Sequence, residues 1–274
     1  MTNSVLAIDA AWTSKEPSGV ALLRHRGGLH WECLAVCPSY SAFTAFARGE
    51  EFDWRSKHEG SVPEPASLLR AATTLLDGDP PALVTIDMPV ATIPFTQRRT
   101  ADQAISREFG ARWCSAHSPS RTRPGSLGES MSRDFQALGY PLATATTPCG
   151  SRHHLVEVYP HPALLVLVDA DRRVPYKVSK SNTYWKNTSV QERIRNLLGV
   201  FQMIQETLHQ IIPAANVHLP QVDEVPSLAY LKRFEDALDA LICGWVGIEY
   251  LNGNARPVGD DTAAIWLPME RMEC

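Results

Sequence analysis

Two short apolar runs that each close on an aspartate restrict this chain more than anything else in its sequence. Val5 to Asp9 reads VLAID, and Leu83 to Asp87 reads LVTID. Uncharged runs of this kind suit strands covered on both faces, which belong to sheets with helices packed above and below. A carboxylate is out of place inside such a strand but well placed at its carboxyl end, where open α/β sheets bind ligands. For one aspartate alone, a strand terminator bonding nearby amides is the commoner explanation. Its repetition turns the argument toward a site.

The order of elements around these runs gives a fold class. Ser18–Arg24 and Leu29–Cys37 read as strands joined by a turn at Arg26, Gly27 and Gly28, so a three-stranded antiparallel meander follows from Val5–Asp9 onward. Ser39–Arg48 and Pro63–Leu76 read as helices, the first capped by Ser39 and the second carrying Leu68, Leu69, Ala72, Leu75 and Leu76 on one stripe. A helix before Ala82–Val90 predicts a crossover that sets this strand parallel to the first. His154–Tyr159 (HLVEVY) reads as a further parallel strand with Glu157 near its end. These elements predict an α/β fold with a mixed five-stranded sheet, in one domain over 1–274 with a helical and loop insertion near 89–152.

That insertion is the basic part of a chain whose net charge is −4, so a polyanion has only a local patch to bind. Helices are predicted near Arg98–Phe109 and Leu127–Leu138. Arg98, Arg99, Arg121 and Arg123 are candidate phosphate contacts, because guanidinium forks match phosphate oxygens; a solvated surface with local ion pairs is the alternative. His117, Ser118, Ser120 and Thr122 are candidates to line a channel. His153, His154 and His161 flank Glu157 at no established zinc spacing and read as packing or substrate contacts. The six cysteines form no CxxC pair, so neither a disulfide framework nor a zinc knuckle is indicated; Cys33 and Cys37 are expected on one strand face in the core. With no signal-peptide pattern and no apolar run near the ~18 residues of a membrane span, the expected location is the cytoplasm, with no membrane partner.

The late acids complete the pattern. Ser189–Ile212 is an amphipathic helix with a structural face, and Ser227–Asn252 is a second long helix containing FEDALDALICGW. Glu235, Asp236 and Asp239 recur at helical spacing, so they share one side of that helix. Leu238, Leu241, Ile242 and Trp245 make the same stretch apolar, so the acids meet the protein body, where carboxylates need a cation or a hydrogen-bond network.

Taken together, AIDAAW, the IDMP segment followed by Arg98 and Asp102, Glu157 in EVYPH, Tyr176 with Lys177, and DALDALICGW resemble the domain of unknown function 429 family over roughly Val5 to Trp266. That family consists of predicted nucleases of ribonuclease H-like fold. The resemblance implies Asp9, Asp87 and Asp239 as metal ligands, with Asp236 and Glu157 assisting catalysis. It also implies two Mg²⁺ or Mn²⁺ ions, hydrolysis of phosphodiester bonds, DNA or RNA as partner, and Lys177 or an arginine neutralising phosphate charge. Two alternatives stand beside it. An actin-like phosphotransferase or ATPase would need a glycine-rich turn after the first strand, where Ala10, Ala11 and Trp12 stand. A non-catalytic nucleic-acid-binding protein would keep the fold without using metals. Oligomeric state is not legible in the sequence.

Overall fold

The first strand, β1 (Ser4–Asp9), is buried through Ile8, and its side chains alternate between two cores. Val5 and Ala7 enter one core, and Leu6 and Ile8 enter the other, as period-two geometry requires of a strand covered on both faces. The structure is a computed structural model that describes all residues except 1, 29, 95, 96, 121, 214 and 271–274. Next come β2 (Gly19–Gly27), β3 (His30–Cys37), α1 (Tyr40–Ala47), α2 (Pro65–Leu75), β4 (Leu83–Ile86), α3 (Thr100–Phe109) and α4 (Ser126–Ala137). They are followed by β5 (Leu155–Val158), α5 (Pro160–Leu167), the single-turn α6 (Ser181–Tyr184), α7 (Val190–His209), α8 (Lys232–Leu251), β6 (Ala255–Gly259) and β7 (Ala264–Pro268).

The sheet is mixed and has seven strands in the order β3-β2-β1-β4-β5-β7-β6, not the five expected. Strands β1 to β3 form the antiparallel meander, and β4 and β5 continue parallel to β1. The extra pair is a carboxyl-terminal hairpin: β7 runs parallel to β5, and β6 closes the edge antiparallel to β7. Pro257 and Gly259 dilute the strand signal of β6. One further departure concerns the cysteines. The register slips between Leu22 and Leu23, which pair with Ala35 and Cys33, so Leu34 is an extra residue in β3. Cys33 therefore packs against one core while Cys37 enters the other, and the two do not share a face.

Helices α5, α7 and α8 contribute to the first core, and α1, α2 and α4 to the second. Capping agrees with the sequence: Ser39 Oγ accepts from Ala42 N at 3.1 Å, and Ser189 and Glu192 make a reciprocal box at the start of α7. The element that matters most is α8, buried along almost its whole length across β1, β2 and β4. Two glycines permit that approach. A Cβ on Gly19 would lie 2.1 Å from the Asp236 carbonyl oxygen, and one on Gly247 would lie 2.6 Å from Val5 Cγ1. Only a bare backbone fits between β2 and the first turns of α8. No helix among the described residues is long and apolar enough to cross a membrane.

Candidate functional site

Register decides which acids meet. Asp9 pairs with Gly19, the residue that α8 crosses at Asp236, so Asp9 ends its strand directly beneath the acidic turn of that helix. Asp9, Asp236 and Asp239 each bring a carboxylate oxygen within 4.8 Å of the others. Asp236 and Asp239 are buried, while Asp9 keeps partial access to solvent. Burial, then the charges of Asp239 and Asp236, hold the Asp9 carboxyl well above the usual carboxylate range. Burial likewise pushes Asp236 up to about 6, against the pull of Lys232.

Two lysines offset part of this charge. Lys177 Nζ donates to Asp239 and lies 3.3 Å from Glu235, while Lys232 Nζ donates to Asp236 and, at 2.8 Å, to Glu235. The other Asp239 oxygen accepts from the Tyr176 hydroxyl at 2.6 Å, and Glu235 also accepts from Val178 N at 2.6 Å. Burial raises the Glu235 carboxyl, but the ammonium groups of Lys177 and Lys232 outweigh it, and the net direction is down. Glu235 is thus the satisfied acid of the helix and holds both lysines. Lys232 stands three and four residues before Glu235 and Asp236, a local helical spacing; Lys177 was singled out only through the resemblance, in the pair Tyr176–Lys177, and its place beside Asp239 comes from the fold.

Asp87 stands one residue past β4, with its N–H donating to Ile8 O at 2.9 Å, and is not part of the close trio. Burial raises its carboxyl to about 7. Neither Asp9 nor Asp87 has a hydrogen-bond donor on its carboxylate among the described residues. An all-oxygen donor set with two unsatisfied carboxylates fits a hard divalent cation, and no histidine or cysteine belongs to the trio. Of the expected ligands, Asp9 and Asp239 stand in the close trio, whose third member is Asp236, and Asp87 stands outside it.

Glu157 departs further from expectation. It pairs in register with Ile86, which pairs with Ile8, so it shares their face of the sheet and not the face covered by α8. There it is clamped by Arg99, whose guanidinium nitrogens donate to its two oxygens at 2.6 and 2.7 Å and to Asp102 at 2.7 Å. The same pair grips the loop after β4: Val90 N donates to Glu157 at 3.1 Å, and Arg99 donates to Val90 O at 2.6 Å. Arg99 is buried and engaged by carboxylates, which removes it from the candidate phosphate contacts. Glu157 is pushed by burial to about 7 against that guanidinium.

Of the other basic candidates, Arg98 is half-buried and donates to Ser106, to Asp102 O at 3.1 Å and to Ala116 O at 3.3 Å. Arg123 is exposed and lies 5.6 Å over the Trp12 ring. Arg121 lies outside the described residues. The histidines flanking Glu157 form no metal-binding group among the described residues; His154 Nδ1 meets Arg152 O at 2.8 Å, and His161 Nε2 meets Arg173 at 2.5 Å.

Fold and site together define a mixed α/β protein with a lysine-buffered carboxylate centre at the carboxyl edge of its parallel strands. A family model described as "Protein of unknown function (DUF429)" matches residues 53–264, and the chain belongs to that family. The matched span opens after β3, so it includes Asp87, Asp236 and Asp239 but not Asp9. Neither a curated protein nor a solved structure matches the chain.

Proposed function

We propose that this protein is a divalent-metal-dependent phosphodiester hydrolase, a nuclease on a ribonuclease H-like core. The observation that carries the reading is the convergence of Asp9, Asp236 and Asp239 at one point, with no hydrogen-bond donor on the Asp9 or Asp87 carboxylate among the described residues. The strand order β3-β2-β1-β4-β5, with a meander first and acids at the carboxyl ends of β1 and β4, supports the ribonuclease H-like part. Asp9, Asp236 and Asp239 would hold Mg²⁺ or Mn²⁺, with Asp87 completing the donor set for the two ions expected. Such cations supply Lewis acidity toward a phosphate oxygen and lower the pKa of water.

The remaining work falls to the chain itself. The Tyr176 hydroxyl fixes one oxygen of Asp239 and thereby the orientation of its carboxylate. Lys177, 16% exposed, is placed to move its ammonium charge from Asp239 toward a bound phosphate. The Arg99–Glu157 clamp fixes the loop that starts at Asp87, so Glu157 acts as a positioning residue. A second reading, a nucleic-acid-binding protein without turnover, is favoured by one observation: Lys177 and Lys232 already offset Asp239 and Asp236.

Cleavage of labelled DNA and RNA with and without Mn²⁺, by wild type, Asp9→Asn and Asp239→Asn, decides between them. Turnover that needs the metal and vanishes in both variants is expected. Full activity of Asp9→Asn sinks the proposed centre, and absence of metal-dependent cleavage in the wild type favours the second reading.

A further inference from the structure

Some cationic side chains of this chain face carboxylates: Arg24 meets Asp77, Arg48 meets Glu50, Arg55 meets Glu224 and Arg256 meets Glu108. Around residues 112–117 one such pair stands, Arg112 at 3.5 Å from Glu270, beside a group of cations without one. Arg98, Arg123, Arg172, Arg173 and Lys180 have no carboxylate partner among the described residues, although the chain as a whole is net acidic.

Hydrogen bonds tie this unbalanced charge to one strip of surface. Arg173 N donates to Arg112 O at 2.9 Å, the Tyr159 hydroxyl donates to Ser115 O at 3.0 Å, and Arg98 reaches Ala116 O. Buried side chains connect the strip to the acidic centre: Arg173 donates to His161, whose ring lies 5.4 Å from that of Tyr176, the residue bonded to Asp239. His161 is buried, and accepting at Nε2 requires the neutral tautomer with its proton on Nδ1, an atom without a partner. Burial, then the charges of Lys177 and Arg173, hold its pKa well below the ordinary imidazole value. A neutral imidazole fixes the Arg173 guanidinium without spending its charge. His117 lies close enough to feel Arg173, Lys180 and Arg123; burial and then these cations hold it below the ordinary value too.

Aromatic rings stand at two places on this strip. Trp113 is 63% exposed, held at φ 63° in the left-handed region, with the Arg172 guanidinium 5.2 Å over its ring. The left-handed conformation lets Trp113 close the helical turn before it, its N–H donating to Gly110 O at 3.0 Å, and leaves the indole facing outward. Trp12, three residues beyond Asp9, carries Arg123 in the same way.

We infer that this strip, from Trp12 and Arg123 across His117 and Arg173 to Trp113 and Arg172, is a track for single-stranded nucleic acid, with phosphates on the unpaired cations and bases on the indoles. The inference deepens the phosphodiesterase reading and rests on it for the kind of ligand that approaches the carboxylates. A single strand is the match because indoles need bases that are free to unstack, which a duplex does not offer.

The test is fluorescence anisotropy of a labelled oligothymidylate and of a duplex of equal length, in EDTA so that no turnover occurs. The wild type should bind the single strand more tightly. Trp113→Ala, at an exposed position, should weaken that binding about tenfold. Arg172→Ala and Arg123→Ala should each lower the slope of log affinity against log salt by about 0.7, and Arg48→Ala should change nothing. Preference for the duplex, or full affinity in Trp113→Ala and Arg172→Ala, overturns the track. Binding that follows this pattern in a protein that never cleaves with Mn²⁺ upholds the track and removes the hydrolase reading. Cleavage indifferent to Trp113 and Arg172 does the reverse.

Discussion

Asp9 and Glu157 look alike in the sequence, each an acid near the end of an apolar strand, yet their surroundings make them opposites. Asp9 has no donor and faces Asp236 and Asp239, so its charge is a cost to the metal-free fold. Asp9→Asn keeps the shape and should leave the denaturation midpoint unchanged or raise it. Glu157 is half of a buried pair with Arg99, and Glu157→Gln leaves that guanidinium short of charge; the expected loss is about 3 kcal/mol in chemical denaturation. Equal midpoints for the two variants would deny the distinction. Asp87 adds a pH dependence. Its proton is held up to about pH 7 in the folded state, against about 3.9 unfolded, so the folded protein binds more protons between those values. Stability from this group is complete below the unfolded value and declines as pH rises through about 7. The advantage of Asp87→Asn over wild type should therefore grow between about pH 5 and about pH 8, by on the order of 2 kcal/mol after allowing for partial solvent contact. An advantage that stays constant over that range would mean Asp87 does not titrate there.

At the level of elements, the site is a crossing of β1, β2 and α8, and Gly19 sets how close they come. Gly19→Ala places a methyl group against the Asp236 backbone, so either β2 or the start of α8 must yield. A loss of about 1–3 kcal/mol is expected, together with weaker Mn²⁺ binding by calorimetry because Asp9 and Asp236 move apart. Wild-type metal affinity in a destabilised Gly19→Ala would show that the crossing does not set the site. The elements that meet here were legible in the sequence, since the apolar runs and the three-residue spacing of Asp236 and Asp239 are local signals, but their crossing at Gly19 was not. The parity of Glu157 was not. An acid two residues before the end of its strand reads like Asp87 until the register aligns it with Ile86 and turns it to the other face. Arg99 was misplaced for a related reason: its partner lies 58 residues away, and no local pattern separates a buried clamp from a surface arginine. The β6–β7 hairpin escaped because a strand holding Arg256 and Pro257 carries little apolar alternation. Arg173 sits in a loop whose place depends on contacts with His161 and residue 112, distant in sequence.

For the molecule as a whole, the centre joins the carboxyl edge of the sheet to the helix that covers it, and its charge does not balance. The carboxylates of Asp9, Asp87, Glu235, Asp236 and Asp239 outnumber the ammonium groups of Lys177 and Lys232. A divalent cation bound only by the folded protein relieves that excess and stabilises the fold by mass action, about 2.7 kcal/mol at a hundredfold excess over Kd. Monovalent salt does not substitute, because the trio is largely withdrawn from solvent and screening acts mainly between exposed charges. Millimolar Mn²⁺ or Mg²⁺ should therefore raise the melting temperature, while NaCl at equal ionic strength should not. Asp239→Asn should abolish the metal effect, since it removes the acid shared by Tyr176 and Lys177. Lys232→Met should enlarge it, because the cation then has no ammonium competitor at Asp236. A wild-type melting temperature that ignores both metals, with Lys232→Met strongly destabilised, would mean that the lysines are the permanent counter-ions of this centre and that no metal enters it.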